Sequence, residues 1–369
     1  MSSSPLRIGI AGAGLLGRLA AWTLSRQGHA VSVFDPAPDA QPRHDGQGAA
    51  GFTAAGMLSP LAERETADAA LADLGWASIP RWADVCAALL NPHPAEAPLL
   101  QQAGSLLVAH GSDLGAARRV LDRLNRQNPP ALSADALRAL EPALHSSSGP
   151  LHAWYLPGEA HIDTVRTLLA LQQQAPHVQW HWGQRVVGLS AGTLHAVAHA
   201  EAVSHTPHAH RFDWVFDLRG TGAKDACAVR GVRGELVWLH APGIGLQRPV
   251  RLLHPRHRVY IVPRPGDVVL VGASEVESED RSPMSLRSAV ELMAAAHSVL
   301  PALAEARILK LDVNLRPALP DHHPQVHVEP GLVRINGLYR HGWLLAPALL
   351  DQALHRMGSM PTPQGHMHA

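Results

Sequence analysis

The turn Gly12-Ala13-Gly14-Leu15-Leu16-Gly17 constrains this chain more than any other feature, because of what flanks it. Residues 6–11 before it are a short apolar run of the kind a buried parallel strand shows. Leu15–Arg26 after it carries apolar residues at helical spacing, with a stop at Gly28. Residues 30–34 read as a second strand ending at Asp35, 18 residues beyond Gly17. Strand, glycine turn, helix and strand make one βαβ unit. In such a unit Gly12 permits the tight turn, Gly14 lets backbone approach a pyrophosphate, and Gly17 lets helix and strand pack closely. The helix N-terminus offers free N–H groups and partial positive charge to phosphate oxygens, while the Asp35 carboxylate suits ribose hydroxyls. A dinucleotide site follows. The motif alone does not separate FAD from NAD.

At 369 residues the chain is long enough for about two domains, and 46% apolar against 17% charged residues places it among folded globular proteins. Lysine plus arginine balances aspartate plus glutamate at 31 each, so there is no bulk attraction to nucleic acid or anionic lipid. Cys86 and Cys227 are too few for a disulfide framework or a four-ligand zinc site, which fits a reducing compartment. Residues 1–7 do not resemble a secretory signal, and no apolar run approaches the ~20 residues needed to span a bilayer. A cytoplasmic protein is expected. The closest groupings among 25 histidines, His208/His210, His322/His323 and His366/His368, lack ligand companions beyond Asp321; they read as solvated loops, and no metal is expected.

Farther along, residues 36–51 read as a loop, 63–90 as helical, 104–109 as a strand, and 114–127, 134–140 and 161–174 as helices. Residues 178–189 and 194–203 alternate like a hairpin or meander, and 214–218 is a buried strand candidate. Strands at 232–239, 259–263 and 268–271 suggest an antiparallel sheet, followed by a helix over 285–300 and a last strand at 332–335.

Four further blocks separate the cofactors. Thr53-Ala54-Ala55-Gly56-Met57-Leu58-Ser59-Pro60 resembles the AAAGML segment of the D-amino-acid-oxidase-like flavoproteins, glycine oxidases in particular. Tyr260–Arg264 with 271–274 resembles the YIVPR…VGAT stretch of that family, and Leu315-Arg316-Pro317 its substrate-arginine segment. Residues 336–348, NGLYRHGWLLAPA, are similar to the GHxRNGILLAPAT close of glycine oxidases. The blocks fall in order from Gly12 to Ala348, and the resemblance is strongest to the glycine oxidases that make the imine precursor of the thiamine thiazole.

The resemblance implies an α/β protein: a Rossmann-like FAD-binding domain from 1–75, 141–222 and 315–369, and a substrate domain on an antiparallel sheet from 76–140 and 223–314. It implies that Ala54, Ala55, Gly56 and Met57 approach the isoalloxazine, that Val186 meets the adenine, and that Gly220 allows close backbone–cofactor contact. Leu338, Tyr339, Arg340, His341, Gly342, Trp343 and Leu344 would run under the flavin pyrimidine ring, with Pro347 in the first turn of a helix aimed at it. Arg316 would clamp the substrate carboxylate, Tyr260 would add a hydroxyl, and Arg340 would sit near substrate and flavin edge. FAD would be non-covalent, since no cysteine follows Cys227 where related enzymes attach flavin. The implied reaction oxidises a small amino acid, glycine foremost, to an imine that water hydrolyses to glyoxylate and ammonia, with oxygen giving peroxide. A homo-oligomer and transfer of the imine to a thiazole synthase belong to the same picture. Arg219, Arg258 beside His257, and His341 depart from the family pattern, which leaves substrate preference open. Three alternatives stay open: a quinone-reducing dehydrogenase, a D-amino-acid or N-methyl-amino-acid oxidase, and a non-catalytic flavin-binding protein.

Overall fold

The computed structural model describes residues 4–64, 68–89, 97–124, 129–146, 149–175, 177–199, 206–254 and 258–359. His257, the 366/368 histidine pair and most of the tail lie outside the described residues, as does the side chain of Arg258. Strand Arg7–Ala11, helix Leu15–Arg26 and strand Ala30–Asp35 form the expected βαβ unit. Arg7–Ala11 is central in a six-stranded sheet, parallel both to Ala30–Asp35 and to Trp214–Asp217. Trp214–Asp217 leads on to Leu332–Asn336 and the antiparallel edge Gln325–Glu329. Buried on both faces, the central strands are continuous apolar runs, and Ile8, Ile10 and Phe216 are fully enclosed.

A seven-stranded sheet holds the second core. Its long strand Arg307–Ala318 pairs antiparallel with Arg230–His240, which pairs in turn with Val268–Gly272. Arg258–Arg264, Val250–Leu253, Ser105–His110 and Leu151–Leu156 complete it. Leu151–Leu156 thus joins this sheet, although it falls in sequence within the cofactor segment 141–222, and the segment boundary at 315 cuts through Arg307–Ala318.

Several elements differ from the sequence reading, each for a local reason. The chain from 161 begins as a short strand, Ala160–Ile162; the helix starts only at Thr164, where the Asp163 side chain caps the Arg166 N–H at 3.1 Å. Residues 178–189 are not one strand. Gln179–Trp182 joins the six-stranded sheet beside Ala30–Asp35, and after Gly183 the chain turns into Gln184–Ser190 of a three-stranded antiparallel sheet. The long helix expected from 63 begins at Ala69, where Asp68 caps the Leu71 N–H.

Pro347 is not in a first helical turn: the last helix runs from Gly342 to Gly358, with the proline inside it. A proline there cannot donate to the carbonyl four residues back, that of Trp343. The Trp82 indole supplies the missing donor, Nε1–H to Trp343 O at 2.6 Å, inside the core where the two tryptophan rings pack 5.1 Å apart. Trp82→Phe is therefore expected to keep the packing, orphan one buried carbonyl and cost about 1–3 kcal/mol of stability. An unchanged denaturation midpoint would contradict this role.

Candidate active site

The glycine turn and the two sheets contribute walls to one cavity of about 1790 Å³. It is lined by Gly12, Gly14, Leu15, Leu16 and Asp35 of the first βαβ unit, by Val186 and Gly220, and by Ala54, Ala55, Gly56 and Met57 from the segment before Pro60. Tyr260, Arg316, Leu338, Tyr339, Arg340, Gly342 and Trp343 line the rest. The residues singled out in sequence, drawn from eight separate stretches, therefore face one space, with three exceptions. Gly17 packs behind the turn, His341 is buried beside Glu63, and Leu344 points into the core against Gly75.

The backbone fits a dinucleotide. Gly12 has φ of +99°, and a Cβ there would meet Leu218 O at 2.7 Å; a Cβ on Gly17 would lie 1.8 Å from Gly12 O. No side chain caps helix Leu15–Arg26, so its first N–H groups remain available to an anion. Asp35 accepts from the Ala13 N–H at 2.6 Å and the Ala37 N–H at 2.8 Å, which holds the turn against the second strand. Sequence reasoning passed over Arg18. Its buried guanidinium donates to Ala13 O, Leu168 O and Ala40 O and lies over Phe52 and Trp182, tying the glycine turn to the loop beyond Asp35. That loop is fastened to the second sheet: His44 Nδ1 meets buried Asp312 at 2.9 Å, Asn314 donates to Gly48 O, and Arg281 donates to Gly46 O.

Arg316, whose register partner on the paired strand is Val232, reaches the cavity from Arg307–Ala318 by laying its guanidinium over Gly234, two residues farther on; a Cβ there would lie 2.4 Å from the guanidinium carbon. Arg316 Nη1 donates to Ser274 O at 3.0 Å, and among the described residues no carboxylate pairs with it. Its neighbours are different. Arg340 Nη1 meets Glu275 at 3.0 Å and Arg340 Nη2 meets Glu63 at 3.4 Å, while Arg251 Nη2 meets the other Glu63 oxygen at 3.0 Å. Burial works to raise the Glu63 pKa, but Arg251 and Arg340 outweigh it and hold the carboxyl at about 2. Burial brings His341 down to about 4 despite Glu63 at 3.4 Å, so the imidazole is neutral and the guanidiniums keep Glu63 ionised.

Behind this pair, Glu159 accepts from the Leu61 and Ala62 N–H groups at 2.8 and 3.1 Å, fixing the short turn that presents Glu63. Burial raises the Tyr260 pKa, against the pull of Arg316 and Arg340, so its hydroxyl is a neutral donor. Glu63 and Arg251 carried no signal in sequence. Arg219, a departure from the family pattern, makes a two-pronged pair with Asp217 at 2.8 Å from each nitrogen and so serves the turn after the third strand of the first sheet.

Residues 7–350 match the family model for the FAD-dependent oxidoreductases known as DAO. The chain is 37% identical over 355 residues to a thiamine biosynthesis oxidoreductase, ThiO, of Rhizobium etli, covering 95% of this chain and 96% of that protein. The chain belongs to the DAO family of FAD-dependent oxidoreductases. The fold is shared with the glycine oxidase of Bacillus cereus (TM-score 0.78, 21% identity, 97% and 96% of the two chains). It is equally shared with that of Geobacillus kaustophilus (TM-score 0.76, 22% identity, 99% and 100%). Family membership makes FAD the cofactor, and the Gly12–Gly17 cradle, uncapped helix and long cavity are built to take it. Among the described residues no helix is long and apolar enough to cross a membrane.

Proposed function

We propose that this chain is an oxidase of small amino acids, glycine foremost, which oxidises the substrate C–N bond to an imine. Water then hydrolyses the imine to glyoxylate and ammonia, and oxygen takes the electrons. The observation that carries this reading is Arg316: a guanidinium in the cavity, beside Tyr260, with no carboxylate partner among the described residues, while both neighbouring arginines have one. A guanidinium in that position selects a carboxylate, and its planar fork holds the ligand in one orientation. The neutral Tyr260 hydroxyl adds a hydrogen bond to the same group. Arg340, tied to two glutamates, closes the pocket edge.

The Gly12–Leu16 turn would hold the cofactor pyrophosphate, Asp35 the ribose, Val186 the adenine, and 54–57 with 338–343 the flavin ring. When bound, FAD supplies the two-electron acceptor and returns the electrons to oxygen. The chain contributes orientation of the α-carbon and exclusion of water, which is where its catalytic power lies. The division into a cofactor domain (1–75, 141–222, 315–369) and a substrate domain (76–140, 223–314) is part of the proposal. So is a place in thiamine supply, supported by the name of the Rhizobium relative.

The test is anaerobic mixing of the yellow protein with glycine, sarcosine and D-alanine in parallel. Glycine or sarcosine should bleach the flavin, and admitting air should restore the colour with peroxide. Acid precipitation should release all the flavin. Bleaching followed by rapid reduction of a quinone analogue without peroxide would favour a dehydrogenase, and no bleaching by any amine would remove the reading.

A further inference from the structure

We infer that Glu63 is a specificity-determining residue that restricts the pocket to ligands with a single carboxylate, because it occupies the place a second carboxylate would take. The inference rests on the carboxylate role of Arg316 and deepens it. Among the described residues, one cluster at Tyr260 brings the guanidiniums of Arg251, Arg316 and Arg340 together with the carboxylates of Glu63 and Glu275, which pair with Arg251 and Arg340. The two glutamates use up two of the positive charges and leave one in excess. That excess is at Arg316, the cation of the cluster with no carboxylate beside it among the described residues. One monoanionic ligand head makes this cluster neutral; a dianion would bring an unpaired negative charge up against the buried Glu63, where such a charge is costly.

Glu63 is placed to enforce this. Its two oxygens divide between Arg251 Nη2 at 3.0 Å and Arg340 Nη2 at 3.4 Å, so it spans the two guanidiniums as a bridging carboxylate. Arg251 is held from behind by Ala62 O, and the turn carrying both Ala62 and Glu63 is pinned through its N–H groups by Glu159. The bridge is thus anchored from both its arginine partners and its own turn. Its removal would leave two fixed cations bordering the same space as Arg316.

The experiment is a ligand titration of the FAD-loaded protein, read by perturbation of the flavin absorbance with acetate, malonate and succinate. The wild type should bind acetate and bind either diacid more weakly. Glu63→Gln keeps the shape and removes the charge, and should raise the affinity of the better diacid relative to acetate by about tenfold or more, the scale of one charge-assisted hydrogen bond gained. Glu63→Asp keeps the charge and should stay near the wild-type ratio, which a merely structural role would not predict. Glu275→Gln, at the more exposed end of the Arg340 pair, should move the ratio the same way by a smaller factor and serves where Glu63→Gln does not fold. A diacid-to-acetate ratio unchanged within about twofold in the folded variants overturns the inference. Acetate failing to bind the wild type, or binding Arg316→Ala equally well, removes the carboxylate reading of Arg316 instead, and the inference with it.

Discussion

Arg316→Ala is expected to lower kcat/KM for glycine by roughly a hundredfold or more while flavin content and thermal midpoint stay near wild type. The guanidinium would give the substrate carboxylate two charge-assisted hydrogen bonds, each worth on the order of 1.5–3 kcal/mol, and ~1.4 kcal/mol is a factor of ten in rate. The fold tolerates the loss because the residue gives the protein one hydrogen bond, to Ser274 O, and sits over Gly234 rather than in a packed core. Arg316→Lys should recover only part of the loss, since a point charge lacks the fork. An alkylamine without a carboxylate should feel the change far less than glycine. Normal glycine kinetics in Arg316→Ala would move the carboxylate site elsewhere.

The second large effect separates two glycines of one motif. Gly17→Ala should give a protein that retains little flavin and melts earlier, because the new methyl would stand 1.8 Å from Gly12 O and push helix and turn apart before any cofactor arrives. Gly14→Ala is the contrast. Its methyl would meet nothing nearer than the Ala49 methyl at 3.7 Å, and its φ of −74° suits any residue, so the fold should stand. Gly14 lines the cavity, however, and the methyl should weaken FAD on the order of tenfold, about 1.4 kcal/mol. Flavin-to-protein absorbance and fluorescence titration of the apoprotein measure both. Equal behaviour of the two variants would refute the distinct roles.

What could be read in the sequence was local. The βαβ unit depends on periodicity and a glycine spacing within thirty-odd residues, and helix Leu15–Arg26 has the bounds that its pattern indicates. Arg316 and Tyr260 were reached by family resemblance, because each sits in a recognisable block. Glu63 was not, because its meaning lies in partners 188 and 277 positions away. Nothing near residue 63 announces an ion pair with Arg251 or Arg340. Arg307–Ala318 escaped notice for another reason: its pairing with Arg230–His240 shifts register between Trp238 and Leu239, and Ile308, Leu309 and Leu311 are exposed, so alternation is lost where the strand begins. The helix start at Gly342 was hidden by Pro347, whose usual place is a first turn; the carbonyl it leaves without a helical donor is met by the distant Trp82.

The cavity takes its walls from both extremes of the chain. The glycine turn and second strand come from the first 35 residues, whereas Arg316, the loop at 338–343 and the anchors Asp312 and Asn314 of the covering loop come from beyond residue 310. During synthesis, with domains folding from the N-terminus as they emerge, the first strand is exposed long before its neighbours at 214–217 and 332–336 exist. The vitamin-derived cofactor therefore cannot act as an early folding template for the nascent chain. Flavin capture by the complete cavity belongs to the period after the ribosome has delivered nearly the whole polypeptide.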